Sequence, residues 1–276
     1  MDAPDIWPLW QWDSTAWIPC HSPPPPCFIA ESWLLQNGHL WAWDAHKIRF
    51  TRSCNLYLPA TLQHLPGLVF EQISAVLPLH GHYFPRLEMA LTSALPQFYL
   101  RIRAAPAAKR TLSLLPWTTD PRTLAHLKGP DLLRIAECRS EVMAAGADEA
   151  VLVDAQEHVL EGLYSSLVWW QQDTLCYPPP HPQRLSSTTL PLLVQLAAQL
   201  GVTTCCCNIK LHTLTHHPVW AVNALHGLME ALSLPPGTPL PRHPDIAQWQ
   251  QALNALRQPL PVPSSNAGCR LRRGPE

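Results

Sequence analysis

Charge is scarce in this chain. Asp, Glu, Lys and Arg make up 14% of its 276 residues, against roughly 25% in an ordinary soluble domain. Lysine is rarest, with only Lys47, Lys109, Lys128 and Lys210. The net charge is −1 and no basic stripe or block occurs, so the sequence carries no electrostatic footprint for nucleic acid. No apolar run approaches the roughly 18 residues that a membrane span needs. The start, Met1-Asp2-Ala3-Pro4-Asp5, lacks the basic residues and apolar core of a secretory signal. These absences lead to the expectation of a cytoplasmic protein with neither nucleic-acid nor membrane partners.

Cys-x-x-Cys is also missing among nine cysteines. Cys20 and Cys27 flank a proline run, and Cys205-Cys206-Cys207 are adjacent, so on a strand they alternate between faces. His212, His216 and His217 follow the triplet, but the spacing does not suggest tetrahedral convergence on zinc. Free thiols, some packed in the core, and no metal site are expected.

What the chain does have is apolar mass. Hydrophobic residues are 47%, which argues against disorder and for a sizeable core in two small domains. The 31 prolines fall mostly in connections. Trp10-Gln11-Trp12 and Ala16-Trp17-Ile18 read as a hairpin around Ser14-Thr15, and Gln36-Asn37-Gly38 as the turn of a second one. Asp44 is placed to cap a helix through His46, Arg49 and Cys54. Phe98 to Arg103 alternates in its second half and reads as a strand. Leu115 to Pro121 reads as a linker, dividing residues 1–120 from 121–276, with 259–276 frayed.

Beyond that linker, His126-Leu127-Lys128-Gly129-Pro130-Asp131 leads from a short extended stretch into a helix. Leu132, Ile135, Cys138, Val142 and Ala145 fall on one face of it, and Gly146 ends it. Strands follow at Ala150 to Val153, Val159-Leu160, Ser166 to Trp170 and Leu175 to Tyr177. A helix covers Leu190 to Leu200, and Thr203 to Ile209 and Val219 to Leu225 are strand-like.

The order of lysine, helix, Gly146-Ala147-Asp148-Glu149-Ala150, a hairpin closing on Glu161-Gly162, and Ser166-Leu167 resembles the class IV aminotransferase family. Its members include branched-chain and D-amino-acid aminotransferases and 4-amino-4-deoxychorismate lyases. The resemblance implies an α/β (α+β) fold of two domains, the pyridoxal-phosphate (PLP) fold type IV. A small N-terminal α/β domain would join a larger C-terminal mixed-sheet pseudo-barrel, with the cofactor cleft between them and a homodimer completing the site.

It also implies roles. Lys128 would be the Schiff-base lysine, because a primary amine is needed to condense with the cofactor aldehyde and then shuttle a proton. Glu161 would face the pyridine nitrogen and keep it protonated. Ser187, Thr188 and Thr189 would cup the phosphate at a helix N-terminus, although Ser187 and Leu190 stand where the family has Gly and Arg. Arg49, in His46-Lys47-Ile48-Arg49, would reach the same phosphate. Asn223 and Ala224 would border the phosphate and substrate side. Asp148 and Glu149 read as structural. The function implied is a lyase releasing pyruvate from aminodeoxychorismate, with an aminotransferase on branched-chain or D-amino acids as the alternative. A third reading, motivated by Ser187 and Leu190, is a binding protein that keeps the fold without turnover.

Overall fold

The structure is a computed structural model and describes residues 9–92 and 95–262. Its described residues divide into two compact units. One runs to Ala105 and regains the chain at Gln258; the other is Pro106–Arg257.

In the first unit, β1 (Leu9–Trp12) and β2 (Trp17–Pro19) form the expected hairpin, and β3 (Ile29–Ser32) follows. Next come β4 (Leu35–Gln36) and β5 (His39–Leu40). The turn between them has Asn37 at φ 48° and Gly38 at φ 71°, the paired left-handed residues that Asn-Gly supplies at least cost. Helix α1 (Trp43–Asn55) comes next. Asp44 lies in its first turn rather than capping it, because the chain enters through Ala42 at φ 54°. Helix α2 (Leu65–Gln72) ends in a 3-10 turn, and β6 (His82–Tyr83), β7 (Arg86–Leu91) and β8 (Pro96–Arg101) complete the set. The sheet order is β2-β1-β8-β7-β3. Phe70 and Trp33, both fully buried, pack together and against Trp43 beneath α1.

The second unit opens with β9 (Thr111–Trp117), whose last three residues fall in the stretch expected to be a linker. The expectation rested on Pro116 and the residues after it, and the strand accommodates that proline. Strand β9 is central, but one neighbour pairs with Thr111 to Ser113 and the other with Leu114 to Trp117. Pro116 therefore needs ladder bonds on one side only. Helix α3 (Leu132–Ala144) carries Cys138 and Val142 inward and ends at Gly146, φ 81°. Then come β10 (Glu149–Val153), β11 (Val159–Gly162), β12 (Ser166–Gln171), β13 (Thr174–Tyr177), α4 (Leu190–Gln199), β14 (Thr204–Cys206), the short α5 (Leu211–Leu214), β15 (Val219–Asn223), β16 (Gly227–Ser233) and α6 (Ile246–Ala255).

Their mixed sheet runs β11-β10-β9-β16-β15-β12-β13-β14. Alternation along β10 separates two cores: Val151 packs with Leu114, Leu167, Trp169 and Met229, whereas Ala150 and Leu152 pack with Cys138 and Val142 of α3. The chain then returns to the first unit. Strand β17 (Gln258–Pro259) pairs with β5, and the Leu260 N–H donates to the Gly38 carbonyl at 2.7 Å. The segment expected to fray from residue 259 is thus anchored where it begins; residues 263–276 lie outside those described.

Candidate active site

Three segments of the second unit meet at one buried carboxylate. Glu161, at the end of β11, is 4% exposed. Its Oε1 accepts a bond from Arg122 Nη1 at 2.5 Å and from the Leu185 N–H at 2.9 Å. Arg122 is itself fixed on both sides. Its Nε and Nη2 grip Asp120 at 2.9 and 2.8 Å, and Nη2 also donates to the Gln183 carbonyl at 3.0 Å. Glu161 thereby ties the segment leading to Lys128 to the segment leading to Ser187. Burial pushes the Glu161 carboxyl up, and the Arg122 guanidinium and the Leu185 N–H pull against it. Arg122 sits above its ordinary value: burial opposes its charge, but Asp120 and Glu161 outweigh that.

Lys128 is half-buried in a run of bends, not at the end of an extended stretch. The run is cinched by Asp131, whose carboxylate accepts the Thr123 N–H, the Thr123 hydroxyl and the Leu124 N–H at 2.8–2.9 Å. Burial acts upward on that carboxyl, yet the bonds from Leu124 and Thr123 hold it below the usual range. The other end of the Glu161 hairpin is fixed by Glu149. Buried, it accepts the Tyr164 N–H at 2.7 Å and the Ser165 hydroxyl at 2.8 Å. A Cβ on Gly162 would run into that same carboxylate, so the Glu-Gly pair is a packing requirement. Asp148 accepts the Ser113 N–H and pairs with Lys109.

Ser187, Thr188 and Thr189 lead directly into α4, with both threonines buried. The Ser187 hydroxyl accepts the N–H groups of Thr189 and Leu190 at 3.3 and 3.1 Å. Nearby, Arg184 is buried and donates to the carbonyls of Pro178 and Pro179 at 2.6 and 2.5 Å. Asn223 makes a turn: its Oδ1 accepts the Leu225 and His226 N–H groups at 3.0 and 2.8 Å, with Ala224 half-buried between. Arg49 lies in the first unit, where it forks onto the fully buried Glu31, Nε to Oε2 at 2.8 Å and Nη2 to Oε1 at 2.5 Å. His46 Nδ1 shares Oε1 at 3.0 Å.

The family now has evidence of its own. A profile described as amino-transferase class IV matches residues 29–234. This chain belongs to that family. Class IV aminotransferases are pyridoxal-phosphate enzymes, and the fold agrees with theirs. The PLP-bound form of a hypothetical aminotransferase from Mycobacterium tuberculosis is similar, with TM-score 0.73 and 18% identity over 90% of this chain and 98% of that one. The branched-chain aminotransferase of the thermophilic archaeon Thermoproteus uzoniensis, solved with norvaline, gives 0.74 and 15% over 92% and 99%. The Escherichia coli branched-chain aminotransferase gives 0.76 and 14% over 90% and 94%. No curated protein matches the sequence.

For a class IV chain the residues present fit the cofactor. A buried carboxylate, a row of amides entering a helix and a half-buried primary amine supply the types of contact that a pyridine nitrogen, a phosphate and an aldehyde require. Sequence reasoning missed Arg122, Asp120, Arg184 and Glu31. Charge scarcity was the signal available: charged residues that lie within apolar stretches of such a chain are the ones to pair first. His46 and Arg49, three apart on one helix face, were a second signal that a common partner exists.

One titration is accessible. His226, beside the Asn223 turn, accepts the Lys109 N–H on Nδ1 at 3.2 Å. Burial, with Lys109 and Arg110 adding to it, lowers its value from 6.5 to about 4. The unfolded chain therefore takes up this proton first, and stability present above pH 6.5 is lost as pH falls toward 4. Urea midpoints measured across that window should fall in the native chain and fall less in His226→Gln; parallel curves would show that His226 does not contribute.

Proposed function

We propose that this chain is a pyridoxal-phosphate enzyme in which Lys128 is the reactive amine, and that its reaction is of the 4-amino-4-deoxychorismate lyase type. The observation that carries the class of chemistry is the buried Glu161, held by Arg122 and Leu185 between the Lys128 and Ser187 segments. When bound, the cofactor supplies an aldehyde for primary amines and a ring that withdraws electrons from the attached carbon.

The chain's own residues do the rest. Glu161 offers a carboxylate to the pyridine nitrogen, and Arg122 fixes its orientation. Lys128 would supply the primary amine that holds the cofactor's aldehyde, and the same amine would move a proton at the substrate carbon. The amides of Thr188 and Thr189, with the Thr189 hydroxyl, would hold the phosphate at the start of α4. Asn223 and Ala224 border the substrate side. Arg49 is the phosphate ligand implied by family likeness, and its fork on Glu31 is the partner with which a phosphate would compete.

Ser187 modifies this cup. Its hydroxyl accepts two amides that face the same helix entrance, a role that the family's glycine lacks. Replacing it with glycine should free them and tighten cofactor binding by about 0.5–1.5 kcal/mol, the net worth of an ordinary hydrogen bond. Weaker or unchanged PLP affinity in Ser187→Gly, measured by fluorescence titration, would take the cup away from these residues.

The resemblance of the Asn223-Ala224-Leu225 turn supports the lyase reading. Aminotransfer is the second reading, favoured by the names of the similar solved structures. Purified protein given aminodeoxychorismate should release 4-aminobenzoate and pyruvate; amino-group transfer from branched-chain or D-amino acids to a 2-oxo acid, without that release, would replace the first reading by the second. A cytoplasmic homodimer is part of the proposal, and sedimentation at micromolar concentration showing monomer alone would remove it. Among the described residues no helix is long and apolar enough to cross a membrane.

Lys128 gives the sharpest test. The PLP-loaded protein should absorb in the near-visible, and borohydride should fix the cofactor to the peptide containing Lys128. Lys128→Ala should fold, bind PLP noncovalently and lose turnover. A reduced adduct mapped to Lys210, or none in a saturated sample, would favour a binding protein without turnover.

A further inference from the structure

The cysteines that the sequence leaves apart are brought together by the sheet. Strand β14 is the last strand of the eight-stranded sheet and runs parallel to β13, with Cys205 opposite Cys176 and Cys206 opposite Tyr177. The Cys207 N–H continues the ladder onto the Tyr177 carbonyl at 3.0 Å. Residues two apart on a strand share a face. Cys205 and Cys207 therefore project to the side where Cys176 lies, and Cys206 projects away. The sulfurs of Cys176, Cys205 and Cys207 all lie within 4.8 Å of one another. Sequence reasoning expected no metal site because it weighed the triplet against nearby histidines. The third partner comes from another strand, about thirty residues earlier, and only pairing reveals it.

We propose that Cys176, Cys205 and Cys207 form a three-thiolate site for a thiophilic d10 cation, Zn(II) or Cu(I), at the β13–β14 edge. Three sulfurs at about 2.3 Å from one ion stand roughly 4 Å apart, so small side-chain rotations close the observed triangle. Thiolates select these soft ions over Mg(II) or Ca(II). The three cysteines also differ in a useful way. Cys176 is buried in the core and Cys207 packs against it, so two ligands have fixed positions. Cys205 is exposed, which gives the ion its entry and leaves a coordination position toward water. Without an ion, burial pushes the Cys176 thiol up and the Cys207 thiol up to about 12, and the cluster is hydrogen-bonded within itself. A bound cation displaces those protons, as it does at any thiolate site. It would also cross-link a three-residue edge strand to its neighbour, stabilising the sheet at its shortest strand.

The site is independent of the proposed reaction, and so is its test. Full-length protein, kept reduced with a phosphine and stripped of metal, is titrated with Zn(II) and separately with Cu(I) against a chromophoric chelator. One equivalent of at least one ion should bind per chain and raise the unfolding midpoint. Cys205→Ser and Cys207→Ser should each weaken binding by roughly a hundredfold or more, since each removes one direct ligand. Cys206→Ser and Cys138→Ser should leave it unchanged. Cys176→Ser alters the core, so the two outer variants carry the test. The two arms identify the ion. No stoichiometric binding of either ion, or binding indifferent to both Cys205→Ser and Cys207→Ser, would overturn the proposal.

Discussion

The second unit depends on a single buried ion pair, Arg122 with Glu161. Two charges out of water are costly unless every hydrogen-bonding direction is answered. Here Asp120 and the Gln183 carbonyl answer Arg122, and the Leu185 N–H shares Glu161 Oε1. Removing one partner of such a pair typically costs about 3–5 kcal/mol because the other is left stranded. The consequence is positional. Because Arg122 cannot move without exposing Glu161, the turn that carries Lys128 and the approach to α4 are held in one register. Asp131 and Glu149 extend the same logic outward, each closing a loop through two or more bonds to one carboxylate.

The first unit repeats the device. Glu31, fully buried, is answered by Arg49 and His46 from α1, which links β3 to that helix across the sheet face. In a chain with few charges, these buried networks are where many of them go. The geometry makes Arg49 a structural residue in its own right, whatever else it binds, since truncating it would remove two bonds from the buried Glu31. It also explains why function and stability are hard to separate in this chain: the residues with the most chemistry to offer also join the segments.

Some of this was legible beforehand. The Asn37-Gly38 turn, α3 with its apolar face, α4 and the strands around Glu161 follow from local rules: backbone permissiveness at Asn-Gly, apolar spacing of three and four, and alternation on half-buried strands. The motif order from Lys128 to Glu161 carried the family. Local reading failed where pairing decides. The end of strand β9, Leu115 to Trp117, read as a linker because Pro116 punctuates it, yet its two neighbours divide its length and spare the proline. Strand β17 read as tail because nothing near Gln258 announces that β5 lies open to receive it.

The sequence by itself determined most of the elements, which depend on side-chain type and short-range spacing, and through the resemblance of its motifs the class of fold and the residues worth testing. Only the tertiary structure decided which distant groups share a space. Arg122 and Glu161 stand thirty-nine residues apart and Cys176 and Cys205 twenty-nine. No periodicity spans such gaps. Parallel pairing of β13 with β14 brings the cysteines together, and the Arg122 bond joins a loop to the end of β11, with register set by the whole sheet closing over its core.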